Sequence, residues 1–118
     1  MTKLIALTND ETPNDFDWFA TRGLFEPIAE SILQRIEDGA LREKMRAQKV
    51  SGYIFVEHLP PEVRHKILVA LRDELPEFVD TVLYPPPLDE KNLDPIFVER
   101  AKSLARMAAK RLERDASD

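Results

Sequence analysis

The sequence has no cysteine, and it has only three glycines and two histidines among its 118 residues. Without cysteine the chain can form neither a disulfide framework nor a thiolate nucleophile, which fits a reducing cytosol. A loop that cradles phosphate needs clustered glycines so that backbone N–H groups can approach the anion. Because Gly23, Gly39 and Gly52 are isolated from one another, we exclude P-loop and dinucleotide-binding motifs.

Long apolar runs are also missing. None approaches the roughly 20 residues that span a bilayer, and the first segment, MTKLIALTNDETPNDFD, turns acidic before it could form the apolar part of a secretory signal. We therefore expect a cytoplasmic protein without membrane contact. What is present is 43% hydrophobic and 33% charged residues, the balance of a folded soluble protein. The length predicts one domain over 1–118, with an extended arm or strand at 1–11 and a frayed tail at 115–118.

Apolar residues at helical spacing predict a mostly α fold, a small irregular bundle of four to five helices. Thr12 as the cap and Pro13 at the first helical position predict a short helix that ends at Gly23. Further helical segments are predicted over residues 24–39, 40–49, 60–83 and 94–114.

Two short segments, 3–8 and 53–56, are rich in apolar, β-branched or aromatic residues, as strands are. Both runs are too short for periodicity to separate a strand from a buried turn. If both are strands, the only evident partner of each is the other. The bundle would then carry a two-stranded ribbon, and the sequence leaves this question open.

The two histidines, His58 and His65, flank the predicted helix start at Pro60 and Pro61. A zinc-binding HExxH helix needs its histidines four apart on one face, whereas these are seven apart. Glu57 could form an acid–base pair with His58, but neighbours along a strand point to opposite sides. We therefore predict no catalytic residue, no cofactor and no metal site. A small enzyme centred on Glu57 and His58 is the least favoured of three functions.

Charge is distributed unevenly around a formal net of −5. Residues 1–34 hold six acidic and two basic side chains, whereas residues 96–114 hold six basic and two acidic ones. The acidic segment 1–34 argues against non-specific nucleic-acid binding by the whole surface and favours a basic protein partner. Two acidic segments also contain an aromatic residue that could anchor an interface. The predicted partner-binding residues are Asp10, Glu11, Asp15, Asp17, Trp18, Asp73, Glu74 and Glu77.

The basic side chains near the end of the chain support an alternative function. On the last predicted helix they recur every four residues and form a basic ridge. Through this ridge the protein could act as a nucleic-acid-linked regulator. Neither surface needs to bind a partner. The ridge could simply be a helix face exposed to solvent, and Trp18 could be a core residue. The ridge consists of Lys102, Arg106, Lys110 and Arg114.

In general character the chain resembles the immunity proteins of bacterial toxin–immunity systems, such as contact-dependent inhibition. It is small, acidic, predicted to be helical, free of cysteine and without a catalytic motif. The resemblance is one of type and rests on no motif, so it assigns no binding residue. It implies a non-enzymatic inhibitor that binds a cognate basic toxin, often a nuclease, and blocks its site.

Overall fold

The computed structural model describes residues 3–7, 17–83 and 95–117. These residues form a mostly α fold with a small sheet, which confirms the predicted fold class. Their positions group into two compact units, Met1–Ile67 and Leu68–Asp118. The elements in chain order are β1 (Lys3–Ala6), β2 (Asp17–Ala20), α1 (Arg22–Gln34), α2 (Gly39–Ser51), β3 (Tyr53–Phe55), a 3-10 turn (Val56–His58), α3 (Pro61–Asp73), α4 (Leu75–Phe78), a π-helical turn (Val79–Leu83) and α5 (Pro95–Ser117).

The sheet of the first unit has three strands in the order β2–β1–β3. The two segments that the sequence singled out do pair, since β1 runs parallel to β3, but β1 also pairs antiparallel with β2. Ile5 lies opposite both Trp18 and Ile54, and all three side chains are buried. They form the inner face of the sheet, on the side of the core. Helix α1 contacts both β1 and α2.

The prediction of a short helix ending at Gly23 is wrong over residues 17–23, the part of it that the structure describes. Residues Asp17–Ala20 are β2, and Gly23 lies in the first turn of α1. Thr12 and Pro13, the predicted cap and first turn, lie outside the described residues. The strand is favoured because it places Trp18, only 2% exposed, on the inner face of the sheet. Burying a tryptophan stabilises a fold by more than a helix cap does.

Helix α2 begins and ends with specific local interactions. Asp38 Oδ1 accepts a hydrogen bond from Leu41 N at 2.9 Å, so Gly39, which was predicted to close the preceding helix, instead opens this one. At the other end Gly52 adopts a left-handed conformation with φ 94°. Its carbonyl accepts a hydrogen bond from Leu4 N at 3.1 Å. Gly52 thereby directs the chain from α2 into β3, alongside β1.

Ion pairs join α1 to α2 across their half-buried faces. Lys49 Nζ lies 3.1 Å from Glu26 Oε2 and 3.1 Å from Glu30 Oε2, and Arg46 NH1 lies 3.3 Å from Glu30 Oε2. The hydrogen bond from Lys49 lowers the pKa of Glu30, and the same bond raises the pKa of Lys49. This network therefore favours the charged form of both partners.

Helix α3 begins at Pro61, close to where the sequence placed it, and Arg64 N donates to Pro60 O at 2.8 Å. His65 is exposed and Val63 is half-buried. The large buried side chains of this part of the chain are Ile67, Leu68 and Leu71 of α3 and Leu75 of α4.

In the second unit, α4 and the π-helical turn pack against α5. Apolar side chains at helical spacing along α5 are buried, and these are Ala101, Leu104, Ala105, Ala108 and Leu112. Helix α5 continues to Ser117, where the sequence predicted a frayed tail over 115–118. Arg111 Nε donates to Asp115 Oδ1 at 2.9 Å, and this pair one turn apart supports the last turn.

Candidate protein-binding surface

The register of the sheet brings apolar side chains together on the side opposite the inner face. Leu4 lies opposite both Phe19 and Tyr53, and Ala6 lies opposite both Asp17 and Phe55. Successive side chains of a strand point to opposite faces, so these residues point away from the buried row at Ile5. We call this surface the outer face. It consists of Leu4, Ala6, Asp17, Phe19, Tyr53 and Phe55.

The outer face exposes apolar area to solvent. Phe19 is 41% exposed, the small Ala6 is buried, and the other members are half-buried. Tyr53 and Phe55 pack with ring centroids 5.0 Å apart, and Phe55 packs against His58 with centroids 5.2 Å apart. A contiguous apolar patch beside polar groups is typical of an interaction site.

A buried glutamine supports the end of this aromatic row. Gln48 on α2 is only 7% exposed. Its Oε1 accepts a hydrogen bond from Phe55 N at 2.9 Å, and its Nε2 lies 2.8 Å from His58 Nδ1. Gln48 was not predicted from the sequence. The signal that could have indicated it is its position three residues after Met45, on the same buried side of the helix.

The acid–base pair considered from the sequence is engaged in separate interactions. Glu57 Oε2 lies 3.4 Å from Arg64 NH1, whereas His58 Nδ1 bonds the Gln48 amide. Nδ1 is the atom that a catalytic carboxylate would orient. The hydrogen bond from Gln48 therefore holds the His58 ring in place in the 3-10 turn.

The predicted partner-binding residues of the first unit have different positions. Trp18 is buried on the inner face, where it fills the core and is not available for contact. Asp17, half-buried, lies on the outer face. Asp10, Glu11 and Asp15 lie outside the described residues. The structure thus brings Asp17 together with Phe19, a neighbour of Trp18 that the prediction did not include.

The remaining predicted residues, Asp73, Glu74 and Glu77, are exposed in the second unit. Both oxygens of Asp73 accept hydrogen bonds from Arg72, at 2.7 Å and 2.9 Å. These bonds lower the pKa of Asp73. The local pairing reduces the field that Asp73 can offer to a basic partner, because its charge is partly neutralised by the preceding residue.

The basic ridge on α5 is also partly neutralised. Lys102 Nζ lies 3.0 Å from Asp80 Oδ1, and Arg106 pairs with Glu99. Lys110 is exposed. Because carboxylates engage Lys102 and Arg106, the ridge is a weaker surface for phosphate contact than its sequence spacing suggested.

Metal sites and cavities are the two remaining kinds of candidate site. Within residues 3–7, 17–83 and 95–117, no three His, Cys, Asp or Glu side chains converge closely enough to hold a metal ion. A cavity of about 400 Å³ has side chains of both signs, and its Lys66 Nζ lies 3.4 Å from Glu37 Oε1. It is lined by Arg35, Glu37, Asp38, Glu62, Val63 and Lys66. This mixture selects no particular ligand class.

None of the helices in the described ranges combines the length and the apolar character that crossing a membrane would require. Comparison of the chain with protein-family models, with curated protein sequences and with solved structures gave no match.

Proposed function

We propose that this chain is a non-enzymatic protein-binding module and that a basic protein docks on its outer face. The observation that carries the proposal is the position of Phe19, which is 41% exposed and in register with Leu4 and Tyr53. Large apolar side chains aligned on one solvent-facing surface lose little entropy on binding and bury much area. We therefore expect Phe19, Leu4 and Tyr53 to form the apolar centre of the interface.

Charge complementarity supports a basic partner. Asp17 is part of the outer face, and it pairs with Ala6 at one end of the sheet. The segment 8–16, between Leu7 and Asp17, has three acidic residues and no lysine or arginine. The strand residues closest to this segment, Ala6 at the end of β1 and Asp17 at the start of β2, are paired at that same end. A partner with cations around an apolar centre would gain association rate from this charge.

A nuclease-type toxin is the kind of basic partner that we favour. Proteins that bind nucleic acid hold phosphates with lysine and arginine side chains. An acidic inhibitor that covers those side chains would compete with the nucleic acid itself. The size, negative charge and helical character of this chain are those of immunity proteins, so we propose that it is an inhibitor of a cognate basic toxin.

The docking surface can be tested with matched baits. The wild-type chain, Phe19→Asp and Val50→Asp would each be used to capture proteins from the organism that encodes the chain. Val50, on α2, is 82% exposed and lies off the sheet, so its variant controls for the added charge. We expect a basic protein that wild type and Val50→Asp retain and that Phe19→Asp loses. Equal retention by all three baits would contradict docking at the outer face.

The inhibitory role needs a separate measurement. The captured partner would be purified and assayed for cleavage of nucleic acid while the chain is titrated in. We expect activity to fall to its floor near one chain per partner, with Phe19→Asp shifting the titration to higher concentration. A partner that binds but keeps full activity, or that has no nuclease activity, would contradict the inhibitor role and leave the binding module in place.

A further inference from the structure

The hydrogen bonds of Gln48 determine which way its amide points. A backbone N–H can only donate, so the Gln48 atom 2.9 Å from Phe55 N must be the carbonyl oxygen. The NH₂ group of the amide is then the atom 2.8 Å from His58 Nδ1. Gln48 therefore donates a hydrogen bond to His58 Nδ1.

This bond in turn determines the proton position on His58. A nitrogen that accepts a hydrogen bond carries no proton, so the single proton of the neutral imidazole lies on Nε2. The ring is held on one side by the Gln48 amide and packs against Phe55 with centroids 5.2 Å apart. Nε2 is directed away from the Nδ1 side of the ring, and His58 is exposed. An N–H donor is thus fixed at the edge of the outer face.

We propose that Gln48 presets His58 as an Nε2–H donor and that the partner places a carbonyl oxygen against it. The first half concerns the free protein, and the second half rests on the proposed function of the outer face. Asp17 on the outer face and His58 at its edge then select opposite groups of the partner. Asp17 favours a cation, whereas the His58 N–H rejects a cation and favours an acceptor. Gln48 is the positioning residue, since it acts through the histidine.

The tautomer can be measured without a partner. Long-range ¹H–¹⁵N NMR of the imidazole rings in the full chain, at a pH where His58 is neutral, should show its proton on Nε2. In Gln48→Glu, one carboxylate oxygen can still accept from Phe55 N, but the other can no longer donate to Nδ1. We therefore expect the variant to protonate His58 Nδ1. His65, exposed on α3, is the internal control and should not change.

Two results would overturn the first half: an Nδ1–H tautomer in the wild-type chain, or the same His58 pattern in wild type and Gln48→Glu. The wild-type spectrum needs no substitution, so it decides the tautomer even if the variant does not fold. An Nε2–H tautomer that shifts its proton only in Gln48→Glu would support Gln48 as the positioning residue.

The contact with the partner is tested by affinity. With the partner captured by the wild-type bait, His58→Leu removes the donor and should weaken binding by about tenfold. His58→Gln, which can place an N–H near the position of Nε2, should recover most of this loss, and His65→Leu should have no effect. If Phe19→Asp abolishes binding while His58→Leu does not weaken it, the His58 contact is wrong and the docking surface stands. If neither variant matters, the proposed function fails, and the NMR result is unaffected.

Discussion

Replacing Gly52 by alanine tests the backbone conformation that joins α2 to β3. Gly52 has φ 94°, where an L-residue costs about 1–2 kcal/mol because its Cβ crowds the following carbonyl. The new Cβ would also lie 3.0 Å from Lys3 Cδ and 3.1 Å from Lys3 Nζ. These atoms belong to a flexible side chain, so Lys3 can change rotamer at a further cost of about 0.5 kcal/mol.

One effect opposes these costs. Alanine has fewer conformations than glycine in the unfolded chain, which returns about 0.5 kcal/mol to the folded state. The net expected loss in the free energy of unfolding is therefore about 1–2 kcal/mol. Gly52→Asn should lose less, because asparagine tolerates the left-handed region better than alanine does.

Gly39 provides the matched control. It opens α2, lacks a positive φ, and a Cβ built on it meets nothing within 4 Å. Gly39→Ala should therefore be neutral or stabilise the protein by up to about 1 kcal/mol. Equilibrium urea unfolding can be followed by the fluorescence of Trp18, which is the only tryptophan and is buried in the same unit. A loss below about 0.5 kcal/mol in Gly52→Ala, or an equal loss in Gly39→Ala, would refute the reasoning.

Three further predictions concern the ion pairs, the core and the charge of the outer face. Lys49→Met should lower the free energy of unfolding by up to about 1 kcal/mol at neutral pH. The pKa of Glu30 in the folded protein lies below its ordinary value of 4.5. The stability that this ion pair contributes is therefore present above pH 4.5 and is lost as the pH falls through the folded pKa. Urea unfolding should accordingly show that the stabilities of wild type and variant converge in acid. Trp18→Ala should cost about 3–5 kcal/mol in thermal or urea unfolding, and a loss below about 1 kcal/mol would contradict its burial. Reversing Asp15 and Asp17 to lysine should slow association with the partner, most strongly at low salt; stopped-flow rates indifferent to salt and to the reversal would exclude steering by this charge.

Segments with strong local signals could be predicted from the sequence. Proline at the first helical position indicated the start of α3 at Pro61, and the helix predicted over 40–49 lies within α2, which Gly52 caps. Both signals act through the backbone of one or two residues, so they need no knowledge of distant contacts. The apolar spacing of α5 was sufficient for the same reason, because one stripe such as Ala101 to Leu112 is covered whichever element packs on it.

Strand β2 could not be predicted because its stability depends on residues that are distant in the sequence. Four residues with Trp18 and Ala20 on one side are too few for alternation to be recognised. Its pairing with β1, in which Trp18 lies opposite Ile5, favours a strand over a helix. The candidate site was missed for the same reason, since the strand decides that Trp18 is buried and that Phe19 is exposed.

The position of β1 in the middle of the sheet has a consequence for how the chain is made. Its partner on one side, β3, follows much later in the chain, since Ile54 lies 49 positions after Ile5. A ribosome adding about 5–20 residues per second needs roughly 2–10 seconds for that stretch, whereas a hairpin such as β1–β2 closes in about 1–10 μs. For seconds the newborn chain therefore has an unpaired edge on β1, and neighbouring nascent chains on the same messenger RNA carry the same edge. We expect β1 to be the segment through which slowed translation leads to wrong pairing between copies.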